Sequence, residues 1–310
     1  MTRTDAWTQL GTPMAPGVTA AEALTTGGLA GWNVRKRPSV AVLEDGTTVP
    51  EPGRFAVVRD LPEGGASFLG NVGSVYHVIQ NEEHTALLDT LVDEAGAHFM
   101  SAGPLRGGKQ VFITMKLPGH IRVGGTDDVE MYIAALNSFD GSTKFKMMVT
   151  PVRARCANVF NMPVGQQTNQ YEVRHSGSAK KLIVQQAREM MGLTFDYLDE
   201  FQVAAERMIQ TEMTQSTFEQ IIAREFGAKP DAPTATVTRA ENKMDQMVQL
   251  FTEADTNANI RGTAWAGFNA LTEWYDHFAP TRGDARDTAR ATNAALNVDF
   301  KKAALQLMTV

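Results

Sequence analysis

Lys144-Phe145-Lys146-Met147-Met148-Val149, followed past Pro151 by Val152-Arg153-Ala154-Arg155-Cys156, alternates basic and apolar side chains. A period of two belongs to a β-strand, where successive side chains point to opposite faces. Lys144 and Lys146 fall on one face, with Phe145, Met147 and Val149 on the other. Arg153 and Arg155 repeat the pattern beyond the proline break. The reading is a sheet with an apolar face and a cationic one.

Working outward, further short strands are expected at 32–37, 55–59, 75–79, 110–117, 129–135 and 171–175. They are separated by Gly64-Gly65, Gly107-Gly108 and Gly124-Gly125. One helix interrupts them: Asn81 is read as its N-cap, Glu82 and Glu83 suit the positive end of its dipole, and Leu87, Leu88, Leu91 and Ala95 recur at helical spacing. From Ser178 the periodicity becomes helical, with helices expected over 178–213, 215–226, 236–254, 258–278 and 284–308. Ser216 and Glu219 are read as a capping box, and Pro280 as a stop. The fold class is α+β: an N-terminal antiparallel sheet with a packed helix over 1–177, then a helical unit over 178–310 with a linker-like break at 227–233.

The 310 residues are 43% hydrophobic and 21% charged, ordinary values for a globular chain. Neither a signal peptide nor a membrane-spanning stretch is legible, so a cytoplasmic location in a host cell is expected. Cys156 is the sole cysteine, which excludes an intrachain disulfide and a cysteine-built zinc site. The net charge of −6 is uneven: −6 over 1–100, +4 over 101–175 and −4 over 176–310. Within 141–188, eight basic residues face a single acid, Glu172. A local field of this sign steers an anionic polymer even on an acidic protein.

No GxxxxGK[ST] occurs, and the glycine pairs sit between strands rather than opening helices, so no nucleotide cofactor is expected. A metal-dependent nuclease would draw on His84, Asp89, Glu94 and His98, or on Asp127, Asp128 and Glu130. A solvated helix face and an ordinary turn account for the same residues. Adjacent Asp276 and His277 point roughly 100° apart on a helix, and Cys156 has no histidine at a recognised spacing, so no cofactor, metal or catalytic group is assigned. The basic residues fit single-stranded DNA better. Arg106, Lys109, Lys116, Lys144, Lys146, Arg153 and Arg155 would track phosphates, Phe112 would stack a base, and Arg174, Lys180, Lys181 and Arg188 would extend the track. Trp265, Phe268, Trp274 and Tyr275 form an aromatic stripe that suits either a core or a partner.

LGTP at 10–13, GSVYHVIQNEEHTALLDTLVDEAG at 73–96, LRGGKQVFITMKLP at 105–118, NSFDGSTKFKMMVTPVRARCANVFN at 137–161 and GTAWAGFNALTEWYDH at 262–277 resemble the phage/plasmid-related family with domain of unknown function 932. A looser architectural resemblance is to phage single-strand annealing proteins. It implies ATP- and metal-independent binding of single-stranded DNA by a self-associating protein, in a ring, with a phage exonuclease or a host protein as further partner. The competing readings are a structural or host-interaction oligomer without nucleic-acid binding, and a metal-dependent nuclease.

Overall fold

Glycines at positive φ make the tight turns that let these strands pair with their sequence neighbours. Gly107 and Gly108 lie at φ 70° and 87°, and Gly124 and Gly125 at 57° and 70°, a region open to residues without a Cβ. The computed structural model describes residues 3–165, 168–173, 183–283 and 285–309. Its strands are β1 (Thr12–Pro13), β2 (Arg35–Val42), β3 (Thr48–Asp60), β4 (Ala66–Gly73), β5 (His98–Leu105), β6 (Gln110–Val123), β7 (Asp127–Ser138), β8 (Phe145–Val149), β9 (Val152–Arg153) and β10 (Gln170–Val173). The α-helices are α1 (Ala6–Leu10), α2 (Ala20–Thr26), α3 (Thr85–Ala95), α4 (Ile183–Gln210), α5 (Gln215–Phe226), α6 (Thr234–Thr252), α7 (Ala264–Glu273), α8 (Arg286–Leu296) and α9 (Asp299–Met308).

The fold is α+β. A larger antiparallel sheet runs β1-β5-β6-β7-β8-β10, with β9 paired to β7, and a separate sheet runs β2-β3-β4. Several expectations need correction. No strand forms at 75–79, whereas β4 and β5 form where none was expected. Asn81 begins a 3₁₀ turn, Asn81–His84, and its side chain donates to the Leu29 carbonyl instead of capping a helix. Thr214, not Ser216, caps α5, accepting from the Thr217 amide at 3.1 Å. The helix expected over 258–278 is α7 continued by a π turn, Trp274–Phe278, and 284–308 divides into α8 and α9.

The larger sheet is buried on both faces, the main departure from the one-sided sheet read from the sequence. Phe145, Met147 and Val149 belong to an apolar cluster that also takes in residues of α3, α4, α7 and α9. On the opposite face Phe112, Tyr132, Ala134, Leu136 and Met148 pack with Trp7 of α1 and with Ala291, Ala294 and Ala295 of α8. The small sheet instead keeps one face wet: Val57, Leu69 and Val72 are buried while Arg37, Arg54, Phe68 and Asn71 are exposed. Its inner face meets turns of the larger sheet. A Cβ on Gly70 of β4 would lie 2.5 Å from the Asp140 Cβ, and one on Gly108 would lie 3.2 Å from the Trp32 ring.

Candidate nucleic-acid interface

The basic residues singled out from the sequence do not form one groove. Phe112 is fully buried, its ring centroid 5.4 Å from that of Trp7, because α1 covers the face on which it was expected to stack bases. Arg153 is also fully buried. Its Nε and one terminal nitrogen donate to Asp127 at 2.7 and 2.9 Å, and the guanidinium further donates to the Asn257 side chain and the Thr256 carbonyl at 2.9 and 2.8 Å. Arg153 therefore ties β9 and β7 to the 3₁₀ turn Asp255–Asn257, and it is structural.

Lys116 is paired with Glu130 at 2.6 Å and Lys144 with Glu172 at 2.5 Å, which leaves little net field at either. Lys146 is half-buried, and desolvation lowers its pKa, opposed by Glu172. Arg106, Lys109 and Arg155 are exposed. Arg174, Lys180 and Lys181 lie outside the described residues, as does the side chain of Arg188.

The acidic and histidine residues have equally specific surroundings. Asp127 is buried against Arg153 and accepts from Trp265 Nε1 at 2.7 Å. Asp128 pairs with Arg122 at 2.8 Å, a hydrogen bond that is the main reason its pKa is lowered. Asp89 accepts from the Ala20 amide, and His84 stacks on Phe145 at 4.1 Å. Among the described residues no group of three or more His, Cys, Asp or Glu is placed to hold a metal ion. Burial pushes the Cys156 thiol up to about 12. Trp265, Phe268 and Trp274 are buried in the core, with Tyr275 stacked on Phe300 at 4.5 Å. Three of the four stripe residues are interior, and Tyr275 is half-buried.

The π turn carries a polar arrangement that adjacency in sequence did not suggest. Asp276 is buried, accepts from the Val159 amide at 2.9 Å and pairs with the fully buried Lys301 at 2.8 Å. Lys301 also donates to the Val159 and Ala294 carbonyls, so its three protons are all used. Beside it, burial lowers the pKa of His277 to about 4, leaving the ring neutral near pH 7.

The cationic surface with an exposed aromatic lies elsewhere, on the outer face of the small sheet. Register sets it: Arg35 opposes Val58, and Val58 opposes Phe68. In the next row Arg37 opposes Ala56, and Ala56 opposes Asn71. Arg54 follows two residues beyond Ala56 on the same strand. Directly opposed residues share a face, as do residues two apart on a strand. Phe68 is 54% exposed, which matters because a stacking platform needs an open ring. Arg35 pairs with Asp60 at 2.5 Å. Hydrogen bonds from Asn33 and then Arg35 hold the Asp60 carboxyl below the usual carboxylate range. Arg37 has no ion pair among the described residues, and Arg54 only a long contact of 3.9 Å to Glu51. Arg35 and Arg37 alternate around Lys36, which turns inward to three carbonyls at the end of β4 and beyond. The alternation is present in the sequence, within a segment, 1–100, whose net charge is −6.

Among the described residues no helix is long and apolar enough to cross a membrane. No curated protein and no solved structure matches the chain. The profile of one family, the domain of unknown function DUF932, matches residues 68–297, so that β2 and most of the candidate face precede the match. Covering well over half of the chain, that match makes it a member of the DUF932 family.

Proposed function

We propose that this protein binds single-stranded DNA and anneals complementary strands in recombination, as a homo-oligomer of phage or plasmid origin working without ATP or metal. The observation that carries the reading is the exposed Phe68 ring beside Arg37 and Arg54 on the wet face of β2-β3-β4, where Arg35 is held by Asp60. Aromatic stacking is indifferent to base identity because every base has a π-face, and guanidinium groups beside it follow the phosphate backbone. A flat sheet face holds a strand extended with its base edges accessible, which is what annealing requires. Relative to the sequence reading, the proposed surface moves from Lys144–Arg155 to the small sheet, since Phe112 and Arg153 are interior.

The test is fluorescence anisotropy of a labelled oligonucleotide across a salt series. Binding at about 50 mM salt that weakens steeply as salt rises is expected, because neutralised phosphates release condensed counterions. An oligonucleotide that stays free at that salt overturns the proposal. A structural or host-interaction role draws little from the aromatic stripe, of which Trp265, Phe268 and Trp274 are interior, and Asp89, Asp127, Asp128 and Glu130 of the nuclease reading are each held by a protein partner.

A further inference from the structure

The hairpin joining β2 to β3 reaches beyond the body of the protein. β4 pairs with β3 only from Arg54 to Asp60, so Thr48–Pro50 is paired to β2 alone, and residues 51–53 lie in the irregularity between the Pro38 and Val40 pairings. All of residues 40–54 are exposed. Four large apolar side chains fall within ten residues here: Val40, Val42, Leu43 and Val49, from 44% to 69% exposed. A two-stranded ribbon is marginal in water by itself, and contiguous exposed apolar side chains mark a contact surface.

The two edges of the ribbon differ. Pro50 and Pro52 remove two N–H donors from β3. Past Pro38, the end of β2 and the residue after it, Ser39-Val40-Ala41-Val42-Leu43, carry neither charge nor proline, the devices that ordinarily protect an edge. Among the described residues, the outer edge of β2 has no backbone partner.

We propose that β2 pairs antiparallel with β2 of a second copy, centred on Ala41, giving a two-fold dimer. In this register Ala41 faces its own counterpart, and Val40 faces Val42 of the other copy. Two valines from each chain then cluster on one face. Arg37 comes opposite Asp45 of the other copy, next to Glu44. The segment 38–53 holds Glu44, Asp45 and Glu51 and no Lys or Arg, so its tip is complementary to the basic base of the neighbouring strand. Asp45 is held in its turn by Thr47, whose amide and hydroxyl both donate to it, which fixes the carboxylate where the arginine arrives. An antiparallel two-fold pairing has its axis perpendicular to the sheet, so both outer faces lie on the same side and carry the Phe68 and Arg54 side chains of both copies, with Arg37 matched by Asp45 across the seam as Arg35 is by Asp60. That last consequence alone rests on the proposed function. The contact is isologous and closes on itself, so any larger ring uses other surfaces.

Light scattering on the purified protein without nucleic acid tests the dimer separately from DNA binding. A mass twice the 33.8 kDa of the chain is expected, returning to one chain in Val42→Lys, with the circular dichroism spectrum of the parent. Ala41→Cys then tests the register. Opposed residues of an antiparallel pair lie roughly 4.5–5.5 Å apart between Cα atoms, within the range a disulfide spans. Mild oxidation should crosslink Ala41→Cys into dimers and leave Val49→Cys monomeric on a denaturing gel, Cys156 being buried. A monomeric parent, an assembly that Val42→Lys leaves intact, or crosslinking at residue 49 but not 41 overturns the proposal.

Discussion

Arg153 and Asp127 face each other through two parallel hydrogen bonds of 2.7 and 2.9 Å, with both side chains sealed from solvent. Removing one partner strands the other charge in the interior. Asp127→Ala also takes the acceptor from Trp265 Nε1 and Asn259. Urea unfolding should show a loss of about 3–5 kcal/mol. A loss under about 1 kcal/mol would mean that this pair does not hold the sheet to the helices.

Gly70 places β4 against the β7–β8 turn, with the position of its missing Cβ only 2.5 Å from the Asp140 Cβ and 2.7 Å from its Cα. Backbone cannot swing aside as a long side chain does. Gly70→Ala is expected to destabilise by about 1–3 kcal/mol. If the clash acts through the small sheet, amide exchange should quicken first in β3 and β4. Unchanged exchange there would contradict this placement of the sheet.

His277 is largely buried, and desolvation lowers its pKa from 6.5 to about 4. The unfolded chain takes up this proton first, so the neutral ring contributes its full stability above about pH 6.5 and loses it as pH falls towards 4. The loss amounts to about 3 kcal/mol across that window. His277→Gln should have a flatter profile of urea midpoint against pH between 4 and 6.5. Parallel profiles for parent and variant would show that His277 titrates normally.

Cys156 is fully buried, and its thiol is pushed up to about 12. A thiolate-specific reagent should leave the native protein unlabelled and label one thiol per chain in denaturant. Rapid labelling of the native protein at neutral pH is the contrary result.

The sequence conveyed the apolar side of the sheet correctly, because Phe145, Met147 and Val149 announce a buried face by spacing alone. It did not convey that the other face is buried too, since the cover comes from Trp7 and from Ala291, Ala294 and Ala295 near the two ends of the chain. Arg153 looks cationic and exposed until Asp127, 26 residues upstream, is placed against it. β5 contains Gly103 and Pro104, two residues of low strand propensity, so its spacing does not announce a strand. Gly103 is there because a Cβ would come within 3.2 Å of the Gly11 Cα on the incoming chain. The outer face of the small sheet required register: Arg35 and Phe68 are 33 residues apart and meet only through Val58.

The most direct test compares oligonucleotide affinity among the parent, Phe68→Ala, the double variant Arg37→Ala/Arg54→Ala, and Lys144→Ala. The first variant should bind about tenfold or more weakly, as befits the loss of a stacked base. The double variant should weaken binding and flatten the slope of log affinity against log salt by about 1 to 2. Lys144→Ala, whose ammonium is already matched by Glu172, should bind like the parent. Full affinity in the first two variants, or its loss on Lys144→Ala alone, would contradict a nucleic-acid surface on β2-β3-β4.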